Sequence, residues 1–253
     1  MKLAKRLPAR GPKSNLAPSA AAFPASCETC KIRGLTIYRK MPDGELTAHQ
    51  ESLIDRIVVP PKRLLVKEGQ VPDEAYTIVF GWVARAKILP DGRRQILEFL
   101  MPGDVVAYDN LLDEPVRYSL QTLTQVAACV YPRRAFCDRM LRHNATVRTA
   151  AVTCAGRLAD AEDHLVRLGR RSASERLANL VLHLHTRLID RNLAFEKVFD
   201  LPLRLDDFAD ALGLTPVHVS RTLAALREQK LFAFRSGRAE ILNRKAMEAL
   251  AGA

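Results

Sequence analysis

The sequence contains no long hydrophobic run. No segment approaches the roughly 18 consecutive apolar residues that a membrane-spanning helix needs, so we expect no membrane association. Residues 57–131 contain no histidine, whereas a cupin-like metalloenzyme needs closely spaced His and Glu ligands in its barrel. No glycine-rich phosphate loop or pair of catalytic carboxylates stands out elsewhere. We therefore expect that the protein is not an enzyme. If it were one, a cupin-like enzyme would be the alternative.

Cysteines are few and odd in number, with five in 253 residues. A chain of this length needs no disulfide staples. Cys137 and Cys154 fall in helical patterns, where a buried thiol behaves as a small hydrophobe. Cys27 and Cys30 form a C-x-x-C motif, whose two thiolates can face one metal or oxidise together.

Residues 1–26 differ in composition from the rest of the chain. They contain five basic residues, four prolines and no acidic residue. The prolines interrupt every stretch that could form the apolar part of a secretory signal. We predict a disordered basic tail and a cytoplasmic protein. A transit peptide is the alternative interpretation of the acid-free composition.

The chain as a whole is basic. It has 39 Lys and Arg against 28 Asp and Glu, a formal net charge of +11. Such a balance favours a polyanionic partner. Because almost half of the excess lies in the tail, a nucleic-acid function needs support from a motif.

Residues 50–135 show short segments with a period of two, separated by turn residues at regular intervals. Trp82, Ala84, Ala86 and Ile88 alternate with their neighbours, as in a strand with one buried face. About eight strands at this spacing favour a small antiparallel barrel or roll. We assign residues 27–142 to this domain.

The period changes in residues 143–170, where apolar residues recur at alternating spacings of four and three. A heptad seam of this kind is typical of a helix that packs against a copy of itself. We predict homodimerisation, and the alternative is a helix packed on its own barrel. The predicted interface consists of Val147, Ala151, Cys154, Leu158, Ala161, Leu165 and Leu168.

Residues 171–253 begin with a capping box, Ser172-x-x-Glu175. His183 and His185 point to different sides of the helix that follows, so we expect surface or boundary residues and not a metal site. Residues 205–228 then predict a short helix capped by Asp206, a turn at Gly213, and a second helix. Two strands that turn at Ser236-Gly237 would follow as a wing.

Thr215 is a suitable N-cap for the second helix, and Pro216 suits its first position. The free face of this helix offers Arg, Ser and His near its N-terminus, which is the pattern of a helix-turn-helix. A helical hairpin in an ordinary α domain is the alternative. The predicted DNA-binding residues are Thr215, Val217, His218, Ser220, Arg221, Arg235 and Arg238.

The segments LGLTPVHVSRTLAALREQKLF and CETCKIRGL make the chain resemble the CRP/FNR family of bacterial transcription regulators over about residues 27–245. The resemblance implies an α+β fold: a cyclic-nucleotide-binding-like β-roll, a long dimerisation helix and a C-terminal winged helix-turn-helix. It also implies a homodimer on palindromic double-stranded DNA and contact with RNA polymerase, acting as an activator or a repressor according to the position of the operator. A signalling adaptor that uses the roll without DNA is the rival, and the polarity of the recognition helix argues against it.

The family's cyclic-nucleotide sites use a Gly-Glu pair after a Gly-Asp turn and an Arg-Ser pair further on. Here Gly103-Asp104 is followed by Tyr108 where the carboxylate is expected. Arg117 is present, but no serine directly follows it. We therefore predict that cAMP is not the effector.

The oxygen-sensing FNR/FixK branch binds a [4Fe–4S] cluster through four cysteines. Cys27, Cys30 and Cys129 match three of these positions, while Thr36 stands at the fourth, so the cysteine set is incomplete. Asp43, His49 or a small molecule could substitute. Three hypotheses stay open: a cluster or iron sensor; a cluster-free regulator controlled by thiol redox or by abundance; and a roll that binds haem or a metabolite.

The recognition helix also departs from the branch. The branch has Glu, x, x, Ser, Arg, and this chain keeps Ser220 and Arg221 but has Val217 at the glutamate position. Because that glutamate accepts from a cytosine amino group, we expect the base preference there to relax or change.

Overall fold

The computed structural model describes residues 23–107, 113–195 and 197–252. Eight strands between Asp55 and Pro132 form the N-terminal domain, as the turn spacing predicts. A long helix follows, and the chain ends in a small α/β domain. Among the described residues, no helix is both long and apolar enough to cross a membrane.

The eight strands form two antiparallel four-stranded sheets. One sheet has the order β1-β8-β3-β6 and the other the order β2-β7-β4-β5. The strands are β1 (Asp55–Val59), β2 (Leu64–Val66), β3 (Glu74–Phe80), β4 (Val83–Ile88), β5 (Arg94–Leu100), β6 (Val105–Val106), β7 (Ser119–Thr122) and β8 (Val126–Pro132).

Both sheets are covered on both faces. In β8, Ala128 and Val130 point into the space between the sheets, where they join Ile78 and Leu120. The alternate residue Tyr131 points outward into a second apolar cluster. Strands buried on both faces read as nearly continuous apolar runs, which explains the sequence of β8.

The outward cluster is covered by the N-terminal segment and two helices. These helices are α1 (Asp43–Glu51) and α2 (Arg133–Leu141). Leu46 of α1 and Phe136 of α2 are almost completely buried. Phe23 also packs against this cluster. The prediction that the disordered tail extends to residue 26 is therefore wrong for Phe23, whereas residues 1–22 lie outside the described residues.

The long helix α3 (Asn144–Arg170) occupies the predicted position, and α4 (Ala173–Asp190) follows it directly. Ser172 and Glu175 form the predicted capping box at the start of α4. The side of α3 that holds Thr149 and Arg167 is buried against the rest of the chain.

The C-terminal domain contains the predicted helix pair and wing. Its elements after α4 are β9 (Val198–Asp200), α5 (Leu205–Leu212), α6 (Pro216–Glu228), β10 (Phe232–Arg235), β11 (Arg238–Ile241) and α7 (Arg244–Ala251). The wing has a third strand that the sequence analysis missed, because β9 pairs with β11 across nearly 40 residues.

The outer face of the second sheet packs against this C-terminal domain. Trp82, Ala84 and Phe99 of the roll share one apolar core with Leu184 of α4 and Phe208 of α5. The predicted buried face is thus real for Ala84 and Ala86 of β4 and for Trp82, which precedes this strand. It is wrong for Ile88, which is exposed at the end of the strand.

Two local predictions in the C-terminal half are wrong. Asp206 does not cap α5: the backbone N–H of Arg204 donates instead to the carboxylate of Asp207. His185 is buried and not on the surface, since its ring packs on Phe199 at 4.6 Å and lies 3.1 Å from a guanidinium nitrogen of Arg244.

Candidate DNA interface and sensor region

Local chemistry fixes the two ends of the turn between α5 and α6. Gly213 adopts a positive φ of 62°, and a β-carbon there would meet the side chain of Leu168 at 3.3 Å. Glycine satisfies both constraints. Thr215 caps α6, because its hydroxyl accepts a hydrogen bond from the backbone N–H of His218 at 3.2 Å. The turn sets the direction of α6 relative to α5.

Helix α6 separates a buried face from an exposed face. Val219, Thr222 and Leu226 are buried against the domain. The predicted base-facing side chains all lie on the exposed side. These residues are Val217, His218, Ser220 and Arg221.

The wing, which follows α6 in the sequence, contains two further arginines. Arg235 and Arg238 pair across the β10–β11 turn, at Ser236 and Gly237. Both turn residues have positive φ, as a tight hairpin requires. Arg235 is exposed and Arg238 is half-buried. The wing can therefore present cationic groups to a polyanion.

A carboxylate links the roll to α4. Asp104 lies after β5, and only 12% of its side chain is exposed. Its two oxygens accept from Arg187 at 2.9 Å and Arg191 at 2.8 Å. Burial alone would raise the pKa of Asp104, but the two guanidinium groups bring it below its ordinary value. This residue therefore stays ionised and ties α4 to the roll.

A second ionic contact links the roll to α5. Arg94 of β5 donates to Asp207 at 2.8 Å and to Asp210 at 2.7 Å. The side chain of Asp207 is almost completely buried. Together with the shared apolar core, these contacts hold the helix-turn-helix against the second sheet.

The sequence analysis missed the residues of this junction. Arg94 and Asp207 are 113 residues apart, so neither periodicity nor a short motif could connect them. The one local signal is the Gly103-Asp104 sequence, which indicates a turn of the roll and part of the family's nucleotide site but no contact with α4.

The roll pocket near α3 is filled by the chain's own side chains. Arg85 stacks on the ring of Tyr118 at 3.9 Å. Glu98 lies 3.8 Å from Arg85 and 3.3 Å from Arg157 of α3. Among the residues that the structure describes, this pocket leaves no room for a water-sized ligand. Tyr108, on which the cAMP prediction partly rests, lies outside the described residues.

The predicted cysteine ligands converge around one tyrosine. The hydroxyl of Tyr131 lies near the thiol of Cys27 and near that of Cys129, which shares its face of β8. Cys30 lies near enough to Cys27 and Cys129 for its thiolate charge to affect both thiols. Burial raises the pKa of Cys27, and burial raises the pKa of Cys129 to about 12.

The substitutes predicted for the fourth ligand lie in other environments. Thr36 is buried, and its hydroxyl donates to the carbonyl of Arg33 at 2.8 Å. Asp43 is exposed and pairs with Arg33. His49 is enclosed by Tyr38 and Tyr131, and burial lowers its pKa to about 3.

This donor set does not fit a [4Fe–4S] cluster. Such a cluster takes four thiolates, and the fourth position holds a threonine whose hydroxyl is already engaged. Within the described ranges, no group of three or more His, Cys, Asp or Glu side chains is arranged to hold a metal ion.

The heptad seam lies on the exposed side of α3. Leu158 and Leu165 are 62% and 70% exposed in the single chain. Val147, Ala151, Cys154 and Ala161 are exposed as well. Leu168 is half-buried because it packs toward the Gly213 turn.

Two family models match the chain, one on each side of α3. A model described as a cyclic nucleotide-binding domain matches residues 56–143. A model described as a Crp-like helix-turn-helix domain matches residues 175–250. The gap between the two matches contains α3.

Similar proteins cover nearly the whole chain. The transcriptional activatory protein AadR of Rhodopseudomonas palustris is 33% identical over 231 residues, which is 90% of this chain and 94% of that protein. The nitrogen fixation regulation protein FixK of Bradyrhizobium diazoefficiens is 31% identical over 227 residues, again 90% and 94%. The solved structure of FixK2 from Bradyrhizobium japonicum is 30% identical, with a TM-score of 0.70, and the match covers 79% of this chain and 98% of that chain.

Proposed function

Because the chain belongs to the CRP/FNR family of DNA-binding transcription regulators, in its FixK branch, we propose that it acts as a homodimer on a two-fold symmetric promoter site. Two copies related by a two-fold axis present two recognition helices to successive major grooves, with half-sites about 10 base pairs apart. The proposed site of action is the cytoplasm, where the promoters of a bacterium are.

The exposed face of α6 carries this proposal. Arg221 can donate to both O6 and N7 of a guanine, and Ser220 can reach a phosphate or a base edge. The N-terminus of α6, with Thr215 and His218, favours a phosphate. Arg235 and Arg238 are proposed to contact the DNA backbone through the wing. These contacts would position the protein, whereas Arg221 reads the sequence.

Dimerisation is proposed through the α3 seam. One side of α3 packs on its own chain, while Leu158 and Leu165 project from the opposite side. Exposed leucines at heptad spacing are stabilised when a second helix covers them. The complete predicted seam is Val147, Ala151, Cys154, Leu158, Ala161, Leu165 and Leu168.

A pair of matched variants tests the dimer. Leu158→Glu places a charge in the seam, and Val152→Glu places the same charge outside the seam at a position of nearly equal exposure, 63% against 62%. We expect Leu158→Glu to sediment as a monomer and to lose most operator affinity, while Val152→Glu stays dimeric and binds DNA. A monomeric wild type, or a dimeric Leu158→Glu variant with full affinity, would remove the seam from this role.

An activator needs a second contact, which the family resemblance assigns to RNA polymerase. We propose that the operator-bound dimer recruits polymerase to the promoters that it occupies. Transcription in vitro from a promoter that carries the selected operator tests this step. We expect more transcript when the dimer is added. The same amount or less, although the operator is occupied, would contradict recruitment of polymerase.

An oxygen- or redox-linked input is the second candidate, and the convergence of Cys27 and Cys129 on Tyr131 favours it. Anaerobic purification, an absorption spectrum, and iron and sulfide analysis test the hypothesis. A visible band with equal iron and sulfide that disappears in air would establish a cluster despite Thr36. A colourless dimer with the same operator affinity before and after air would leave control by abundance or by a metabolite bound in the roll.

A further inference from the structure

Val217 is an exposed apolar side chain at the start of the recognition helix. It is 61% exposed, whereas Val219 is completely buried. Single exposed apolar residues are common on proteins, so exposure alone assigns no role. The position of Val217 is informative, because it lies one helical turn before Arg221 and shares its outward face.

The spacing of these two residues limits the bases that they can reach. Four residues of a helix correspond to about 6 Å along its axis. Base pairs are stacked about 3.4 Å apart, so a helix that lies along the major groove places Val217 about one or two base pairs from Arg221. Arg221 is suited to guanine. Val217 therefore faces a base pair next to or near that guanine.

The chemistry of Val217 selects among the bases. Its side chain neither donates nor accepts a hydrogen bond, and the first turn of α6 contains no acidic residue that could accept from a cytosine amino group. Thymine alone presents a methyl group in the major groove, and apolar side chains contact it. We infer that Val217 specifies a thymine near the guanine read by Arg221, through contact with the thymine 5-methyl group.

This inference rests on the proposed function, since it requires α6 to lie in the major groove. The inference also goes beyond the proposed function, because a dimer could bind its operator with no preference at this base pair. His218 and Ser220 are exposed on either side of Val217, and their polar groups could read the same base pair. Hydrogen bonds from these residues would not depend on the methyl group, so the methyl group is the feature to change.

The experiment uses the full-length protein and an operator selected from random double-stranded DNA. Deoxyuridine then replaces thymine at each position of the half-site in turn, which removes only the methyl group. We expect one position, near the guanine read by Arg221, at which wild-type affinity falls about fourfold, the effect of losing one buried methyl group. Fluorescence anisotropy measures each Kd.

Two variants assign that position to Val217. Val217→Ala should bind the thymine and deoxyuridine operators with nearly equal affinity, because it no longer reaches the methyl group. Val217→Glu should shift the selected base from thymine to cytosine. Since Val217 is exposed, both variants should unfold at the wild-type denaturant concentration. Arg221→Ala is the matched control, which should weaken binding to both operators by the same factor.

The outcomes separate the inference from the function on which it rests. No enriched sequence would contradict the proposed function itself. An enriched operator that tolerates deoxyuridine everywhere, or a sensitive position that stays sensitive in Val217→Ala, would overturn the inference and leave the proposed function intact.

Discussion

The chain uses arginine in two contrasting ways. Arg94, Arg187 and Arg191 lie between the roll and the C-terminal domain, and each is paired with a carboxylate at 2.7–2.9 Å. Arg221 and Arg235 lie on the surface of the C-terminal domain, where the described residues provide no ion pair for either. The first group is ion-paired within the chain and joins its domains. The second group is exposed, and we propose that it contacts DNA.

The roll and the C-terminal domain also differ in how the polar side chains of their candidate sites are paired. In the roll, Arg85 contacts both the ring of Tyr118 and the carboxylate of Glu98. On α6, His218, Ser220 and Arg221 are exposed, while the opposite face of the helix packs against the domain. The charged groups of the roll near α3 are thus paired within the chain, whereas those at the start of α6 are exposed.

The largest effect is expected from Asp104→Ala. This change leaves Arg187 and Arg191 without their shared carboxylate in a largely buried place, which costs about 3–5 kcal/mol. Urea unfolding measures the loss. The matched control is Asp91→Asn, whose partner Arg93 is exposed, and we expect no measurable change there. Equal stability of the two variants would contradict the distinction between the arginine groups.

The second effect concerns DNA and not stability. Arg221→Ala should weaken specific operator binding by about 1–3 kcal/mol and relax specificity at the guanine position. Its unfolding should match the wild type, because no described residue pairs with Arg221. Arg227→Ala, on another side of the same helix, is the control and should bind normally. Loss of stability in Arg221→Ala would place this residue in the first group.

The third effect is a pH dependence at the junction. Burial lowers the pKa of His183 to about 4, with Asp160, Arg187 and Arg167 as the nearest charged groups. The folded pKa lies below the unfolded value of about 6.5. The stability that neutral His183 provides is therefore complete above pH 6.5 and is lost as the pH falls toward 4.

This loss should reach about 1.4 kcal/mol at pH 5.5. Comparing urea unfolding of the wild type and His183→Gln at pH 8 and pH 5.5 isolates the contribution, because all other titrating groups are shared. The variant should lose less stability than the wild type on acidification. The same loss in both proteins would show that His183 is not held neutral.

The smallest effect is expected at the wing. If Arg235 contacts a phosphate, Arg235→Ala should lower the slope of log Kd against log salt concentration by about one. It should also weaken binding to all DNA sequences by the same factor. Arg134→Ala, an exposed arginine of the roll, should leave the slope unchanged. A slope that does not change in Arg235→Ala would leave the wing outside the DNA contact.

The DNA-binding half was predictable because its signals are local. The Thr215 hydroxyl, the positive φ of Gly213 and the Ser236-Gly237 turn each act within a few residues. The heptad spacing likewise predicts a helix at residues 143–170, and α3 spans Asn144–Arg170. Local chemistry thus predicts the elements and the outward face of α6.

The packing of the domains was not predictable in this way. Periodicity predicted that Trp82 and Ala84 face a core, but it could not tell that this core belongs to α4 and α5. His185 looked like a surface residue because its partners, Phe199 and Arg244, come from later elements. Contacts between distant segments depend on the whole fold, and no short motif encodes them.

Selection of an operator from random double-stranded DNA by the full-length protein shows whether a symmetric dimer reads DNA through α6. We expect an inverted repeat with half-site centres about 10 base pairs apart, a guanine that depends on Arg221, and two chains per duplex. No enriched sequence, or a single unrepeated site bound by one chain, would contradict this expectation.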